Sequence, residues 1–378
     1  VTSIKKSLKL SICRSPNSLV NQDRENRASK MAAQDVPDTQ VSALRRIVTS
    51  ESEPLARRFR ALFSLKHLAS LQPHTEQSVP AIEAIAAAFS SPSALLKHEL
   101  AYCLGQSRHD AAIAPLRGVL EDKEEDSMCR HEAAEALGAL GDKGSLGLLR
   151  ELRDDAGEVD VVRETCEIAV DRIEWEHGLK SKSEQLKKRY AWRSVVEDIF
   201  MADFEFSDFA SIDPAPPLPQ SSEAPSIPEL EKTLLDTSLP LFQRYRAMFA
   251  LRDLSSPPDL PTAVPAVQSL ARGFSDPSAL FRHEIAFVFG QLSHPASIPS
   301  LTETLSNTKE ASMVRHEAAE ALGSLGDEAG VEDTLRKFLD DPEQVVRDSV
   351  IVALDMAEFE KNGEAEYAIV PEGIAAAT

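Results

Sequence analysis

Cysteine is scarce in this chain, and so is positive charge. Four cysteines occur in 378 residues, Cys13, Cys103, Cys129 and Cys166. They show no CxxC pairing and no dense framework, which argues against a disulfide-stapled scaffold and fits a reducing compartment such as the cytoplasm. Cys103 and Cys129 sit in apolar helical text and are expected as small buried hydrophobes. Lysine and arginine number 41 against 61 acidic residues, a net charge of −20. A duplex-binding protein carries a basic face, so nucleic acid is not an expected partner, whereas a cationic substrate is. No apolar run approaches the roughly 20 residues that span a bilayer, so no membrane partner is expected either. No glycine-rich dinucleotide fingerprint follows a strand. Any redox chemistry would therefore draw its electrons from an external donor.

What the chain has in abundance is repetition. PLARRFRALFSL at 54–65 returns as PLFQRYRAMFAL at 240–251, and SPSALLKHELAYCLGQ at 91–106 returns as DPSALFRHEIAFVFGQ at 276–291. Each half is itself repetitive. Its frames begin at Arg58, Lys97, Arg130 and Arg163, and at Arg244, Arg282, Arg315 and Arg347. Within a frame the apolar residues recur at i, i+3/i+4 and i+7, the mark of a helix with one buried stripe. Helical text with a period in the thirties means a solenoid. Ser91-Pro92, Asp276-Pro277 and Asp341-Pro342 are natural helix starts. The frame resembles the second helix of HEAT-type repeats. The expected fold is all-α: a HEAT-like helical-repeat solenoid in two pseudo-symmetric arcs of four hairpins, residues 40–176 and 229–360. The Pro/Ser-rich stretch 203–228 reads as an extended, solvated linker. Residues 1–35 form a basic extension, read either as a targeting segment or as sequence upstream of Met31, and expected to be disordered. Residues 361–378 are expected to be a disordered tail.

The repeat is broken in one place. Only the two middle frames of each half carry His-Glu, at His98-Glu99, His131-Glu132, His283-Glu284 and His316-Glu317. A scaffold role would put the pair in all eight frames, so these pairs are local chemistry at the centre of each arc. Imidazole and carboxylate without thiolate suit iron, manganese or zinc. Neighbouring residues on a helix diverge by about 100°, so one carboxylate per half is expected to ligate and the other to stand behind it. Two histidines and one carboxylate per half make the facial set used by iron centres with open positions for oxygen. By helix spacing, Met128, Met313, Gly105 and Gly290 fall on the same faces. They are expected to border a substrate pocket, the glycines leaving room for a long thin side chain.

Four His-Glu pairs in frames such as RHEAAEALGALGD (130–142) resemble the deoxyhypusine hydroxylase family, over about residues 40–360. The resemblance implies a monooxygenase with two ferrous ions, O2 as co-substrate and an external electron donor. Its substrate is the deoxyhypusine side chain on the precursor of a eukaryotic translation factor, converted to hypusine. It implies iron held by His98, His131 and Glu132 in one half and by His283, His316 and Glu317 in the other. Glu99 and Glu284 then either join the metal ligands or act in catalysis by holding the substrate's amines. A cytoplasmic monomer is expected. Two rival readings are a metal-clamped repeat scaffold that binds a basic partner without catalysis, and a zinc hydrolase on the same frame.

Overall fold

The structure is a computed structural model that describes residues 39–178, 211–218 and 225–361. The readings for residues 1–35 and 362–378 lie outside the described residues. Sixteen α-helices and no strand occur among the described residues. They pair as outer and inner helices. The first half has α1 (Thr39–Val48) with α2 (Leu55–Ser70), α3 (Ser78–Ala86) with α4 (Ala94–Gly105), α5 (Ile113–Glu121) with α6 (Ser127–Ala139), and α7 (Leu146–Asp154) with α8 (Asp160–His177). The second half has α9 (Ile227–Leu235) with α10 (Leu241–Leu254), α11 (Ala263–Ala271) with α12 (Ala279–Leu292), α13 (Ile298–Ser306) with α14 (Ser312–Gly323), and α15 (Val331–Leu335) with α16 (Gln344–Lys361). None of these helices is long and apolar enough to cross a membrane.

In the hairpins headed by Arg58, Arg130, Arg244 and Arg315 the frame arginine is the joint. Nε of Arg58, Arg130, Arg244 and Arg315 donates to the carbonyl ten residues earlier, on Val48, Leu120, Leu234 and Leu305, at 2.9–3.1 Å. Those carbonyls lie in the last turn of the outer helix, where no helical partner exists. The guanidinium then reaches forward. Arg130 pairs with Glu158 at 2.7 Å, Arg315 with Asp341 at 2.5 Å, and Arg244 with Asp276, each acid belonging to the next repeat. Arg58 meets Ser91 where its counterpart meets Asp276, and takes its charge partner from Glu51.

Inner helices stack in order α2–α4–α6–α8 and α10–α12–α14–α16, and the two stacks join at both ends. The first seam packs α8 against α10 and α12, and the second packs α16 against α2 and α4. At the second seam Arg60 forms a two-pronged pair with Asp355, at 2.7 and 2.8 Å, and lies over the Phe359 ring. At the first seam Arg246 lies over Trp175, the counterpart of Phe359. Each half also lends a side chain to the other's core: Val352 enters the first cluster, Met128 and Ile168 the second.

The expectation of a solvated linker fails for residues 211–218. Ala215 is fully buried. Ile212 N–H donates to the Gln106 side-chain oxygen at 2.7 Å, while the Gln106 amide donates to Ile212 C=O at 3.2 Å. Gln291, the counterpart of Gln106, donates to Ser211 at 2.8 Å. Asp213 accepts from both terminal nitrogens of Arg252 at 2.8 and 2.9 Å. Polar anchors from both halves thus draw in a segment whose proline-rich composition reads as solvated.

Truncating one member of a dry ion pair strands the other. Arg130→Leu is expected to destabilise the chain by about 3–5 kcal/mol, read as a lower denaturant midpoint. Arg57→Leu, which breaks an exposed pair, should change stability by about 0–1 kcal/mol.

Candidate metal centre

The four inner helices that carry His-Glu begin alike. Ser93 caps α4 by accepting from Leu96 N–H, Ser278 caps α12 by accepting from Phe281 N–H, and Asp126 caps α6 by accepting from Met128 N–H. The cap of α14 is Ala311, whose own N–H donates to Glu310 instead. Each histidine therefore sits five residues past its cap, in the second turn, and all four turn toward the same axis. Ring centroids are 5.3 Å apart for His98–His131, 5.6 Å for His98–His283, 5.3 Å for His98–His316 and 5.4 Å for His283–His316.

Carboxylates surround the rings. Glu132 lies 3.3 Å from His98 Nε2, Glu317 lies 3.5 Å from His283 Nε2, and Glu99 lies 3.6 Å from His98 Nδ1. Ligand atoms of His283, His316 and Glu317 all lie within 4.8 Å of one another. In the first half the corresponding three are split between two overlapping groups, His98–His131–His283 and His131–Glu132–Glu135. All eight residues of the four pairs are buried.

Two acidic residues escaped the sequence reading. Glu135 and Glu320 stand four residues after His131 and His316. Glu320 lies 3.5 Å from His316 Nδ1 and accepts from Ser349 at 2.9 Å. Their signal is the fivefold block HEAAE, present at 131–135 and 316–320, which looks like ordinary solvated helix text. A cavity of about 200 Å³ opens above the rings and is lined by all six glutamates, by His98 and His283, and by Lys66, Phe63, Tyr102 and Phe287. Tyr102 and Phe287, counterparts in the two halves, meet edge to face at 5.8 Å.

Gly105, Gly290, Met128 and Met313 do not line this cavity. A Cβ on Gly105 would come within 2.8 Å of Ala136 on α6, and one on Gly290 would come within 3.5 Å of Ala321 on α14. Gly105 serves close packing of inner helices, while Gly290 faces its neighbour at ordinary contact distance. The methionines are core side chains: the cavity lies toward the C-terminal ends of α6 and α14, beyond the histidines, and Met128 and Met313 precede them.

The electrostatics are unbalanced without a cation. Burial opposes protonation of His98, but Glu132 and Glu99 beside it outweigh burial and hold its pKa well above the usual range. Burial, reinforced by neighbouring histidines, holds His131 and His316 well below theirs and His283 down to about 3. Burial and adjacent carboxylates push Glu135, Glu284 and Glu320 well above the carboxylate range, and Glu317 up to about 8. Seven imidazole nitrogens are buried with no hydrogen-bond partner: both of His98, His131 and His283, and Nε2 of His316. A buried polar atom without a partner costs about 1–3 kcal/mol. Nitrogen lone pairs converging among carboxylates, with no thiolate present, fit a divalent cation such as iron, manganese or zinc.

Known proteins share the repeat fold and most of the sequence of this chain. The HEAT-repeat family matches residues 81–171 and 266–355. The chain is 83% identical to the deoxyhypusine hydroxylase of Phaeosphaeria nodorum over 90% of this chain and 98% of that protein. It is 70% identical to the one of Neosartorya fischeri, over 90% and 96%. The solved structure of human deoxyhypusine hydroxylase in complex with glycerol superposes with a TM-score of 0.69 at 40% identity, covering 88% of this chain and 99% of that one.

The glycine contacts make an asymmetric prediction. Gly105→Ala drives a methyl into Cα and Cβ of Ala136 and should cost about 1–3 kcal/mol. Gly290→Ala meets ordinary van der Waals distances and should be close to neutral. Melting temperatures of the two variants check this.

Proposed function

The chain belongs to the deoxyhypusine hydroxylase family, and on that premise we propose that it hydroxylates the deoxyhypusine side chain of a translation-factor precursor with a di-iron centre. The observation that carries the reading is the set of seven orphaned imidazole nitrogens converging beneath an acidic cavity. His98, His131 and Glu132 would hold one ion; His283, His316 and Glu317 would hold the other. Two ferrous ions in such ligand sets supply activation of O2 and attack on an unactivated C–H bond.

The remaining residues prepare the substrate. Its arm carries two amines that are cationic at neutral pH, as lysine is. Glu99 and Glu284 line the cavity from both halves and would bind them. Glu320 and Ser349 each lie 3.5 Å from His316 Nδ1 and would hold that ring in its ligating orientation. Tyr102, Phe287 and Phe63 form an apolar wall that strips water from the arm and strengthens each charge contact inside. In the overall reaction one oxygen atom enters the C–H bond and the other leaves as water. That balance takes two electrons and two protons, which an external donor provides.

Metal content, visible spectrum and turnover test this together. We expect about two irons per chain, a visible band when O2 meets the reduced protein, and conversion of a deoxyhypusine-bearing substrate. Zinc alone, or a filled and unreactive metal shell, would favour the hydrolase or scaffold readings. His283→Ala should lose metal and turnover together, while Glu284→Gln should keep metal and lose substrate affinity. Stripping the metal with a chelator should lower the melting temperature, and excess Fe(II) without O2 should restore it, because a ligand bound to the native state alone stabilises it by mass action.

A further inference from the structure

The acidic wall of the cavity is two-fold symmetric, and one cation spoils the symmetry of its charge. The six cavity glutamates form three pairs 185 residues apart. Lys66 also has a counterpart, Arg252, but the two are used differently. Lys66 lines the cavity, its ammonium 4.5 Å from the Tyr102 ring centroid and 5.7 Å from that of Phe63. Arg252 is absent from the cavity wall. It lies over Phe249, fully buried, and is held by Asp213 of the crossing segment, by Asp253 and by the Gln291 side-chain oxygen. So one half presents a cation to the cavity, and in the other half residues 211–213 withdraw it.

The consequence falls on the paired carboxylates. Glu99 has His98 Nδ1 at 3.6 Å and stands one turn before Tyr102, whose ring carries the Lys66 ammonium. Glu284 has neither. Its Oε1 is buried with no hydrogen-bond partner, and the acidic groups that act on it are Glu135, Glu132, Asp213 and Glu317. Burial works against the Lys66 charge, but Tyr102, Cys103 and Glu99 outweigh it and hold the ammonium above its usual range.

We propose that Lys66 is a positioning residue that makes the two halves of the cavity unequal, setting its charge on the Glu99 side and repelling other cations from there, so that the cationic arm of the substrate is gripped by Glu284. The inference rests on the reading that this cavity receives a diamine arm. Without Lys66 the arm would have two equivalent poses related by the two-fold axis. With it, one half grips and the other does not, which also fixes how the protein carrying the arm is turned at the mouth.

A double-mutant comparison on the metal-loaded full chain tests this. Binding of 1,4-diaminobutane is measured by calorimetry without O2, and KM and kcat are measured separately with a deoxyhypusine-bearing substrate. Against an unaltered Lys66, Glu284→Gln should weaken diamine binding and raise KM roughly tenfold more than Glu99→Gln does, the scale of one charge interaction in a partly dry site. In a Lys66→Met background the two glutamate variants should become equivalent, while Lys66→Arg should keep them unequal. A structural role for Lys66 would weaken both alike and leave their ratio unchanged, which overturns the proposal. So does equality of Glu99→Gln and Glu284→Gln beside native Lys66. Lys66→Gln replaces Lys66→Met should the latter not fold. If the diamine behaves as expected but the unaltered chain does not hydroxylate its substrate, the inference stands and the functional reading falls. If the chain hydroxylates but the ratio fails, the inference falls alone.

Discussion

The geometry of the ring depends on the buried arginine at the head of the inner-helix frame. A guanidinium taken out of water must find several acceptors, and here three come from three places. One is the last turn of its own outer helix, one the next repeat, and one, at Arg58, a loop acid. Satisfying them fixes the angle within each hairpin and the step to its neighbour at once. Once that step is set, the fifth residue past each cap has only one direction to face. His131 and His316 reach the common axis on helices jointed by Arg130 and Arg315, and His98 and His283 on α4 and α12, which pack between helices jointed in that way.

The centre those joints assemble is costly to form. Six glutamates and four imidazoles share a dry space with one lysine. The scaffold tolerates this because inner helices pack backbone to backbone, as at Gly105 on Ala136 and Gly323 on Ala353, and because both seams are closed by charge and aromatic contacts. Rigid walls keep like charges from relaxing apart, so the strain is available to whatever cation settles there.

Much of this was legible as text. The repeat phase, the eight hairpins, the duplication and the position of the His-Glu pairs follow from spacing alone, since helical period and frame offset survive in the letters. Glu135 and Glu320 were not legible, because an acid after two alanines on an amphipathic helix looks the same whether it faces water or a cavity. Gly105 and Gly290 were misread because seven residues restore the helical face but not the neighbour it meets: two turns on, the face abuts α6 or α14. The segment 211–218 was misread for a different reason. Its burial comes from Gln106, Gln291 and Arg252, far away in sequence, and local composition carries no trace of distant anchors.

A ring assembled from two separate, identical chains would have to be symmetric: a lysine placed at one mouth would appear at both, and each substitution would strike twice. Here the two halves lie on one chain and the connection between them passes through the structure. Covalent tethering therefore frees each position from its twin. It allows Lys66 to stand opposite Arg252, and Tyr102 opposite Phe287, while the metal-facing residues stay matched. The connector does more than join the halves, since Asp213 is the group that holds Arg252. A molecule cut into two complementary halves at this connector could regain its sixteen helices and still lose its handedness, becoming a vessel that no longer distinguishes its left side from its right.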